Sequence, residues 1–255
     1  MTGSIPSDIG KLSSVRYLGL GENRFSGVLP TELNSLTNLR VLSLQRQTGS
    51  GATGTQGLIG NILPFNNAND LRELYLGGNQ FNGSIPSDFL EGITDHSETV
   101  RIDLTANKIS GSIPSELSRF DDLKLFLAGN AINNIPENLC MKGDWMDGEV
   151  QKGCDALLCF PGFFNAYGRR VSDEDPCVFC GFNSSTEFFG SVSCGTSLDM
   201  NLDERSILFN FYNDLAGKNW TKKDGWEEDK LSICKWHGIS CLDDVYNKTV
   251  TKIDL

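Results

Sequence analysis

The chain has 255 residues, of which 39% are hydrophobic and 22% charged, and its 33 acidic and 22 basic side chains give a net charge of −11. A chain with this composition can fold and is not intrinsically disordered. The excess of acidic residues disfavours a nucleic-acid binder, because such a protein needs clustered lysine and arginine to contact phosphates. No run of about 18 apolar residues occurs, so the sequence predicts no membrane-spanning segment. All eight cysteines lie between Cys140 and Cys241, which separates a cysteine-free first part from the remainder.

The cysteine-free part contains an internal repeat, the first feature to seek in a sequence. Apolar residues followed by proline recur six times, as Ile5-Pro6, Leu29-Pro30, Leu63-Pro64, Ile85-Pro86, Ile113-Pro114 and Ile135-Pro136. Five strand-like runs precede the later pairs, and they begin at Tyr17, Val41, Glu73, Arg101 and Lys124. An asparagine follows four of these runs, at Asn23, Asn79, Asn107 and Asn130, and Gln47 takes its place after the second.

The pattern has a physical explanation. Alternating leucines make a strand with one apolar face, which a single repeat cannot bury but a stack of repeats can. The asparagine side chain can satisfy backbone groups where the strand turns away, and the proline fixes φ where the next segment begins. The sequence therefore predicts stacked repeats with a continuous leucine core.

These residues resemble the plant-type leucine-rich repeat, L-x-x-L-x-L-x-x-N-x-x-x-G-x-I-P, over about residues 3–139. The resemblance implies an α/β solenoid, right-handed, with a leucine-rich-repeat array over residues 1–139. The sequence departs from the pattern at Gln47, after which residues 48–56 form an insertion that we interpret as a flexible loop. A second long loop runs from Glu91 to Glu98, and Val100 and Leu123 stand one place away from the usual first leucine.

Repeat solenoids bind partners on their concave surface, where outward-facing strand positions stack into columns. The first column comprises Tyr17, Val41, Glu73, Arg101 and Lys124, and the second Gly19, Ser43, Tyr75, Asp103 and Phe126. From these columns we predict a ligand-binding surface made of Tyr17, Ser43, Glu73, Tyr75, Arg101, Asp103, Lys124 and Phe126. The alternative is that they are ordinary surface residues.

Residues 140–200 form a cysteine-rich joint with little periodicity. Its cysteines are Cys140, Cys154, Cys159, Cys177, Cys180 and Cys194, and so many in a polar segment favour disulfides. Of fifteen possible pairings we favour the sequential one, Cys140–Cys154, Cys159–Cys177 and Cys180–Cys194. Zinc held by Cys154, Cys159, Cys177 and Cys180 is the alternative, although we expect no metal. The C-x-P-G-x-F and C-x-x-C elements resemble cysteine-rich modules of tumour-necrosis-factor-receptor or ephrin-receptor type.

Residues 201–255 change character again. Asp203 can cap an amphipathic helix that ends at Gly217, and a C-x-W-x-G-x-x-C element and a strand-like run from Val250 follow. This is similar to the helical N-terminal cap of plant-type leucine-rich-repeat ectodomains, followed by the first strand of a second array. The resemblance implies a disulfide between Cys234 and Cys241.

A cap placed after an array predicts that the chain is a segment of a longer protein. Tandem arrays joined by a cysteine-rich module are similar to leucine-rich-repeat receptor-like proteins of unicellular algae. Only two histidines, His96 and His237, occur, and phosphate-binding loops and metalloprotease motifs are absent from the sequence. We therefore expect no enzymatic activity, no catalytic residue and no cofactor.

Four N-glycosylation sequons occur, at Asn82, Asn183, Asn219 and Asn247. Together with the cysteine-rich segment, these sequons favour an extracellular location, either secreted or on the outer face of the plasma membrane. The leading hypothesis is a recognition module of a receptor-like or adhesive protein that binds a protein, peptide or glycan ligand and no nucleic acid. The alternatives are a structural protein of the cell wall or matrix, and the ectodomain of a receptor kinase whose catalytic part lies elsewhere.

Overall fold

The computed structural model describes residues 1–46, 57–181 and 186–194, together with the strands Ile239–Asp243 and Lys248–Ile253. The chain divides into two compact units. The first comprises Met1–Cys180 and Thr186–Cys194, and the second comprises Gly181–Ser185 and Gly195–Leu255. The repeat array and the cysteine-rich segment thus share one unit.

The described elements are short strands joined by turns and single-turn helices. In chain order the strands are β1 (Thr2–Gly3), β2 (Tyr17–Gly19), β3 (Arg24–Phe25), β4 (Gly27–Val28), β5 (Val41–Ser43), β6 (Leu58–Asn61), β7 (Glu73–Tyr75), β8 (Gln80–Gly83), β9 (Val100–Asp103), β10 (Lys108–Ser112), β11 (Leu123–Phe126), β12 (Ala131–Asn134), β13 (Phe163–Phe164), β14 (Val178–Phe179), β15 (Ile239–Asp243) and β16 (Lys248–Ile253). The helices are α1 (Glu137–Cys140) and the 3-10 turns Ser7–Lys11, Thr31–Ser35, Ser115–Arg119, Glu149–Lys152 and Cys154–Ala156.

The first five-stranded sheet contains the five predicted strands, all parallel, in the order β11-β9-β7-β5-β2. Its register aligns Leu18, Leu42, Leu74 and Ile102 across neighbouring strands, and all four side chains are buried. The insertion after Gln47 does not interrupt the register, because Val41 pairs directly with Glu73. The predicted α/β leucine-rich-repeat solenoid with its leucine core is therefore confirmed.

The asparagines that follow the strands link successive repeats. The Asn107 side chain donates to the carbonyls of Leu104 (3.0 Å) and Leu76 (3.2 Å) and accepts from the backbone N–H of Phe81 (3.0 Å). Asn79 makes the same set of contacts one repeat earlier, with Leu76, Leu44 and Leu58. Since both side chains are buried, each asparagine replaces backbone partners that the turn removes.

A second parallel sheet, in the order β12-β10-β8-β6-β4, runs along the solenoid beside the first. Four of the six repeated prolines directly precede a short helix, as Pro30 and Pro114 do, whereas Pro64 and Pro86 precede turns. These helices are 3-10 turns of five residues, and α1 has four, so the helical layer is thin. A proline that fixes φ and a return to the next strand within a few residues leave no room for a longer helix.

The cysteine-rich segment closes the array at its last strand. Trp145 is fully buried, and its indole Nε1–H donates to the carbonyl of Phe120 (3.0 Å). Beside it, the backbone N–H of Met146 donates to Leu123 (3.2 Å), and the Met146 sulfur accepts from the N–H of Leu125 (3.1 Å). The segment thus satisfies the outer side of β11 where a further repeat would otherwise pair.

Three disulfides fix this segment, and they join Cys140 to Cys154, Cys159 to Cys177 and Cys180 to Cys194. These are the pairs of the sequential interpretation, and they engage all four cysteines of the zinc alternative. The buried guanidinium of Arg170 adds ion pairs to Glu149 (2.9 Å) and Asp155 (3.0 Å). A close contact at Gly168, where a Cβ would collide with Ala128, brings the segment against the last repeat.

Within the second unit, β15 and β16 pair as an antiparallel hairpin. The predicted helix from Asp203 to Gly217 and Cys234 lie outside the described residues, so the cap and the Cys234–Cys241 bridge stay predictions. Asn183, Asn219 and Asn247 lie outside them too. Over the described ranges, none of the helices has the length and apolar character that a membrane span requires.

Candidate ligand-binding surface

The two outward columns lie on one face of the first sheet, which we call the concave face. The strand register places Tyr17, Val41, Glu73, Arg101 and Lys124 side by side, and Gly19, Ser43, Tyr75, Asp103 and Phe126 form the second row. Because side chains alternate along a strand, the leucines between the rows point into the core. Tyr17 is 67% exposed, whereas Tyr75, Arg101, Lys124 and Phe126 are half-buried.

A cavity of about 730 Å³ opens along the start of these strands. Its charged lining comprises Arg40, Arg72, Glu73, Glu98, Arg101 and Lys124. Four basic side chains face two acidic ones, although the whole chain carries a net charge of −11. The lining of this cavity is therefore net positive, and it favours an anionic group at this place.

Two arginines from neighbouring repeats share one carboxylate in this cavity. Glu98 accepts from Arg72 Nε (2.7 Å) and lies 3.5 Å from Arg40 Nη2. Glu98 belongs to the long loop between two repeats, and it is half exposed while Arg72 is mostly buried. The loop that lengthens this repeat thus places its own carboxylate on the concave face.

Aromatic rings hold the guanidinium of Arg101. Its Cζ lies 4.4 Å from the centroid of the Phe126 ring and 5.9 Å from that of Tyr75, both within cation–π range. The Tyr75 hydroxyl donates to Glu73 (2.7 Å). Burial and this negatively charged acceptor raise the pKa of the Tyr75 phenol, so the hydroxyl remains a neutral donor.

The cysteine-rich segment contributes two further side chains to the same face. Asp147 pairs with Lys124 (2.6 Å), and Arg169 lies over Phe126 with its Cζ 5.4 Å from the ring centroid. Met146, Asp147 and Gly148 all have positive φ, and this tight turn directs Asp147 to the solenoid. One end of the concave face is therefore built jointly by the two parts of the first unit.

The predicted surface residues divide into two groups. Glu73, Tyr75, Arg101 and Lys124 line the cavity, and Phe126 adjoins Arg101. Ser43 and Asp103 lie in the second row, where Asp103 accepts from Thr105 N–H (3.0 Å) and hydroxyl (2.7 Å) in the turn after β9. Tyr17 stands on the outermost strand of the sheet, outside the cavity lining.

Sequence reasoning missed Arg40, Arg72, Glu98 and Arg169. A usable signal existed for the first two, because an arginine stands directly before the outward column in three repeats, at Arg16, Arg40 and Arg72. The sequence carries no periodic signal for Glu98 or Arg169.

The structure also shows the surroundings of Asn82 and His96. Asn82 is exposed on β8 in the second sheet, where an attached glycan would not enter the concave cavity. His96 is half-buried, with Nε2 2.8 Å from the carbonyl of Ile93 and its ring edge-on to Phe120. His96 therefore packs between repeats.

Comparison with known proteins agrees with the repeat geometry. The family model described as Leucine Rich Repeat matches residues 70–91, which contain β7, Asn79 and β8. No match was found among curated proteins. The match and the five strands in register define the described array as a leucine-rich-repeat solenoid.

Solved plant structures are similar to the chain. The leucine-rich-repeat ectodomain of the membrane receptor kinase GASSHO1/SCHENGEN3 from Arabidopsis thaliana, in complex with CASPARIAN STRIP INTEGRITY FACTOR 2, is 30% identical (TM-score 0.47; 56% of this chain and 16% of that one). The Arabidopsis receptor kinase HAESA, in complex with the peptide hormone IDA and the co-receptor SERK1, is 31% identical (TM-score 0.44; 52% and 20%). A plant ice-binding protein is 27% identical (TM-score 0.43; 52% and 39%).

The chain thus spans between 16% and 39% of the length of these three proteins. The similarity to these plant structures extends over 52–56% of the chain.

Proposed function

We propose that the chain is a non-enzymatic extracellular recognition module that binds a protein, peptide or glycan ligand on the concave face. The observation that carries the proposal is the mixed cavity of about 730 Å³, which is lined by four basic side chains, two acidic side chains and Tyr75. These side chains come from the strands of the first sheet, from the residues directly before them and, for Glu98, from a loop. A few precisely held polar and aromatic groups in a concavity are typical of binding sites.

An extracellular location agrees with the disulfides of the cysteine-rich segment, since such bonds persist in oxidising compartments. The exposed side chain of Asn82 is the sequon that we propose for glycan attachment among the described residues. We expect treatment with an N-glycosidase to release a glycan and so to lower the mass of the protein. The Asn82→Gln variant should lack the part of this mass decrease that comes from Asn82. An unmodified Asn82 in protein secreted from a eukaryotic host would contradict it.

The recognition proposal is tested with the secreted full chain against arrays of peptides and glycans. We expect saturable binding that the Lys124→Ala and Tyr75→Ala variants weaken at least tenfold, because both side chains line the cavity. Lys108→Ala is the matched control, since this exposed lysine lies on β10 in the second sheet. Equal losses in Lys108→Ala and Lys124→Ala would remove the concave face as the binding surface.

A structural role in a wall or matrix predicts a different outcome. In that case neither array yields saturable binding, and deletion of the protein weakens the wall itself. That pair of results would overturn the recognition proposal.

A further inference from the structure

Two arginines meet on one aromatic ring at the boundary between the solenoid and the cysteine-rich segment. Arg101 comes from β9, and Arg169 comes from the loop between β13 and β14. Their Cζ atoms lie 4.4 Å and 5.4 Å from the centroid of the Phe126 ring. We call this group the arginine–phenylalanine cluster.

The cluster has excess positive charge in a partly desolvated position. Within the described ranges, Arg101 and Arg169 form no ion pair with a carboxylate, whereas Arg40, Arg72, Lys124 and Arg170 each form at least one. Burial lowers the pKa of Arg169. The carboxylates of Asp147 and Glu149 raise this pKa, and the charge of Arg101 lowers it. The charge of Arg101 thus disfavours the charge of Arg169, and a bound anion relieves that repulsion.

Guanidinium groups suit a carboxylate because their N–H donors form a planar fork that matches its two oxygens. Stacking on Phe126 also limits the conformations of both arginines before a ligand arrives, which reduces the entropy lost on binding. The cluster adjoins the concave cavity, since Arg101 belongs to both.

We propose that the arginine–phenylalanine cluster binds an acidic side chain of a peptide ligand, so that the cysteine-rich segment is part of the recognition surface. This inference rests on the proposed function and names one chemical group of its ligand. A peptide fits better than a uniformly anionic polymer, because Glu73, Glu98 and Asp103 share the concave face and would repel repeated negative charges.

The test observes the arginine side chains directly by NMR of the 15N-arginine-labelled full chain. The probes are two end-blocked peptides that differ in one group, acetyl-Phe-Glu-amide and acetyl-Phe-Gln-amide. We expect the Nε–H signals of Arg101 and Arg169 to shift together and saturate with the glutamate peptide at millimolar concentration. The glutamine peptide should bind at least tenfold more weakly.

Substitutions at the cluster separate its function from its folding. Arg169→Gln should abolish the saturable shift at Arg101, and Arg169→Lys should restore only part of it, because an ammonium lacks the planar fork. Arg16→Gln is the matched control, since this exposed arginine lies on the same side of the solenoid, outside the cluster. Intact disulfides and an unchanged melting temperature verify that each variant is folded.

Three results would overturn the inference. Shifts that grow linearly at Arg16 and the cluster alike would show only ionic-strength effects. An undiminished Arg101 response in Arg169→Gln would remove the cysteine-rich segment from the site. Tighter binding of an oligogalacturonate than of the glutamate peptide would assign the cluster to an acidic glycan. The proposed function fails separately, when the cavity variants Lys124→Ala and Tyr75→Ala leave array binding unchanged.

Discussion

The repeat array and the cysteine-rich segment belong to one compact unit but are held together in different ways. In the array, each strand pairs with the next, each leucine layer covers its neighbour, and each buried asparagine joins two repeats. In the cysteine-rich segment, three disulfides and the Arg170 ion pairs connect loops that contain few regular elements. The array is therefore stabilised by repetition, and the segment by individual bonds.

This difference explains where the concave face becomes unusual. Each strand occupies the same place in its repeat, so the outward side chains of successive strands stack into regular columns. A loop fixed by disulfides has no such restriction, and it places Asp147 and Arg169 beside Lys124 and Phe126. The array and the cysteine-rich segment can therefore be perturbed together or separately, and the expected effects decrease from their shared contact to a single tyrosine of the array.

The largest effect is expected at the contact between the two parts. Trp145→Ala removes a fully buried indole and its bond to Phe120, which should lower the free energy of unfolding by about 3–5 kcal/mol. Trp145→Phe keeps most of the volume and should cost less, about 1–3 kcal/mol for the unsatisfied carbonyl. Urea denaturation measures both, and equal stability of Trp145→Ala and the unmodified chain would contradict the buried contact.

The second effect separates the two parts. Replacing Cys159 and Cys177 together by alanine opens a loop with a sequence separation of 18 residues, which should cost about 3 kcal/mol. Hydrogen exchange should then show lost protection in the cysteine-rich segment, with strands β5 and β7 still protected. Equal loss of protection in both parts would mean that the array depends on the disulfide as well.

The third effect tests the asparagine links inside the array. Asn107→Ala removes the side-chain acceptor of the Phe81 N–H and the amide donor to the carbonyls of Leu76, Leu104 and Thr105. We therefore expect a loss of about 1–3 kcal/mol in the free energy of unfolding. Asn138→Ala is a suitable control, because the exposed Asn138 bonds to Ser115 and Ser118 on the outer surface. Thermal unfolding should rank Asn107→Ala clearly below Asn138→Ala.

The smallest effect is a titration on the concave face. Because the folded state raises the pKa of Tyr75, the unfolded chain ionises first as the pH rises. The stabilising contribution is therefore complete below the phenol's ordinary pKa near 10 and is lost above it. Absorbance of phenolate should reveal a late-titrating tyrosine that Tyr75→Phe removes and Glu73→Gln shifts to lower pH.

Much of the array could be predicted from the sequence because its signals repeat. The spacing of leucines, asparagines and prolines determined the strands and the two outward columns. Val100 and Leu123 are instructive exceptions, since they precede the expected strand starts. Both are buried and paired with each other, so β9 and β11 begin one residue earlier than the pattern indicates.

The candidate site could be predicted only in part. Glu73, Tyr75, Arg101 and Lys124 followed from the repeat, whereas Glu98 and Arg169 reach the concave face from segments without periodicity. Their positions depend on tertiary contacts, such as the close approach of Gly168 to Ala128, that local spacing does not encode. The cysteines indicated that the segment is crosslinked, but not which of its loops contacts the strands.

The contacts of Met146 with the last strand of the array have a consequence for solubility. The exposed edge of a parallel sheet is a template on which other chains can add strands and aggregate. On the outer side of β11, the backbone N–H of Met146 donates a hydrogen bond to the carbonyl of Leu123, and the Met146 sulfur accepts one from the N–H of Leu125. A thioether cannot extend a backbone ladder, so these contacts protect that edge against intermolecular strand pairing.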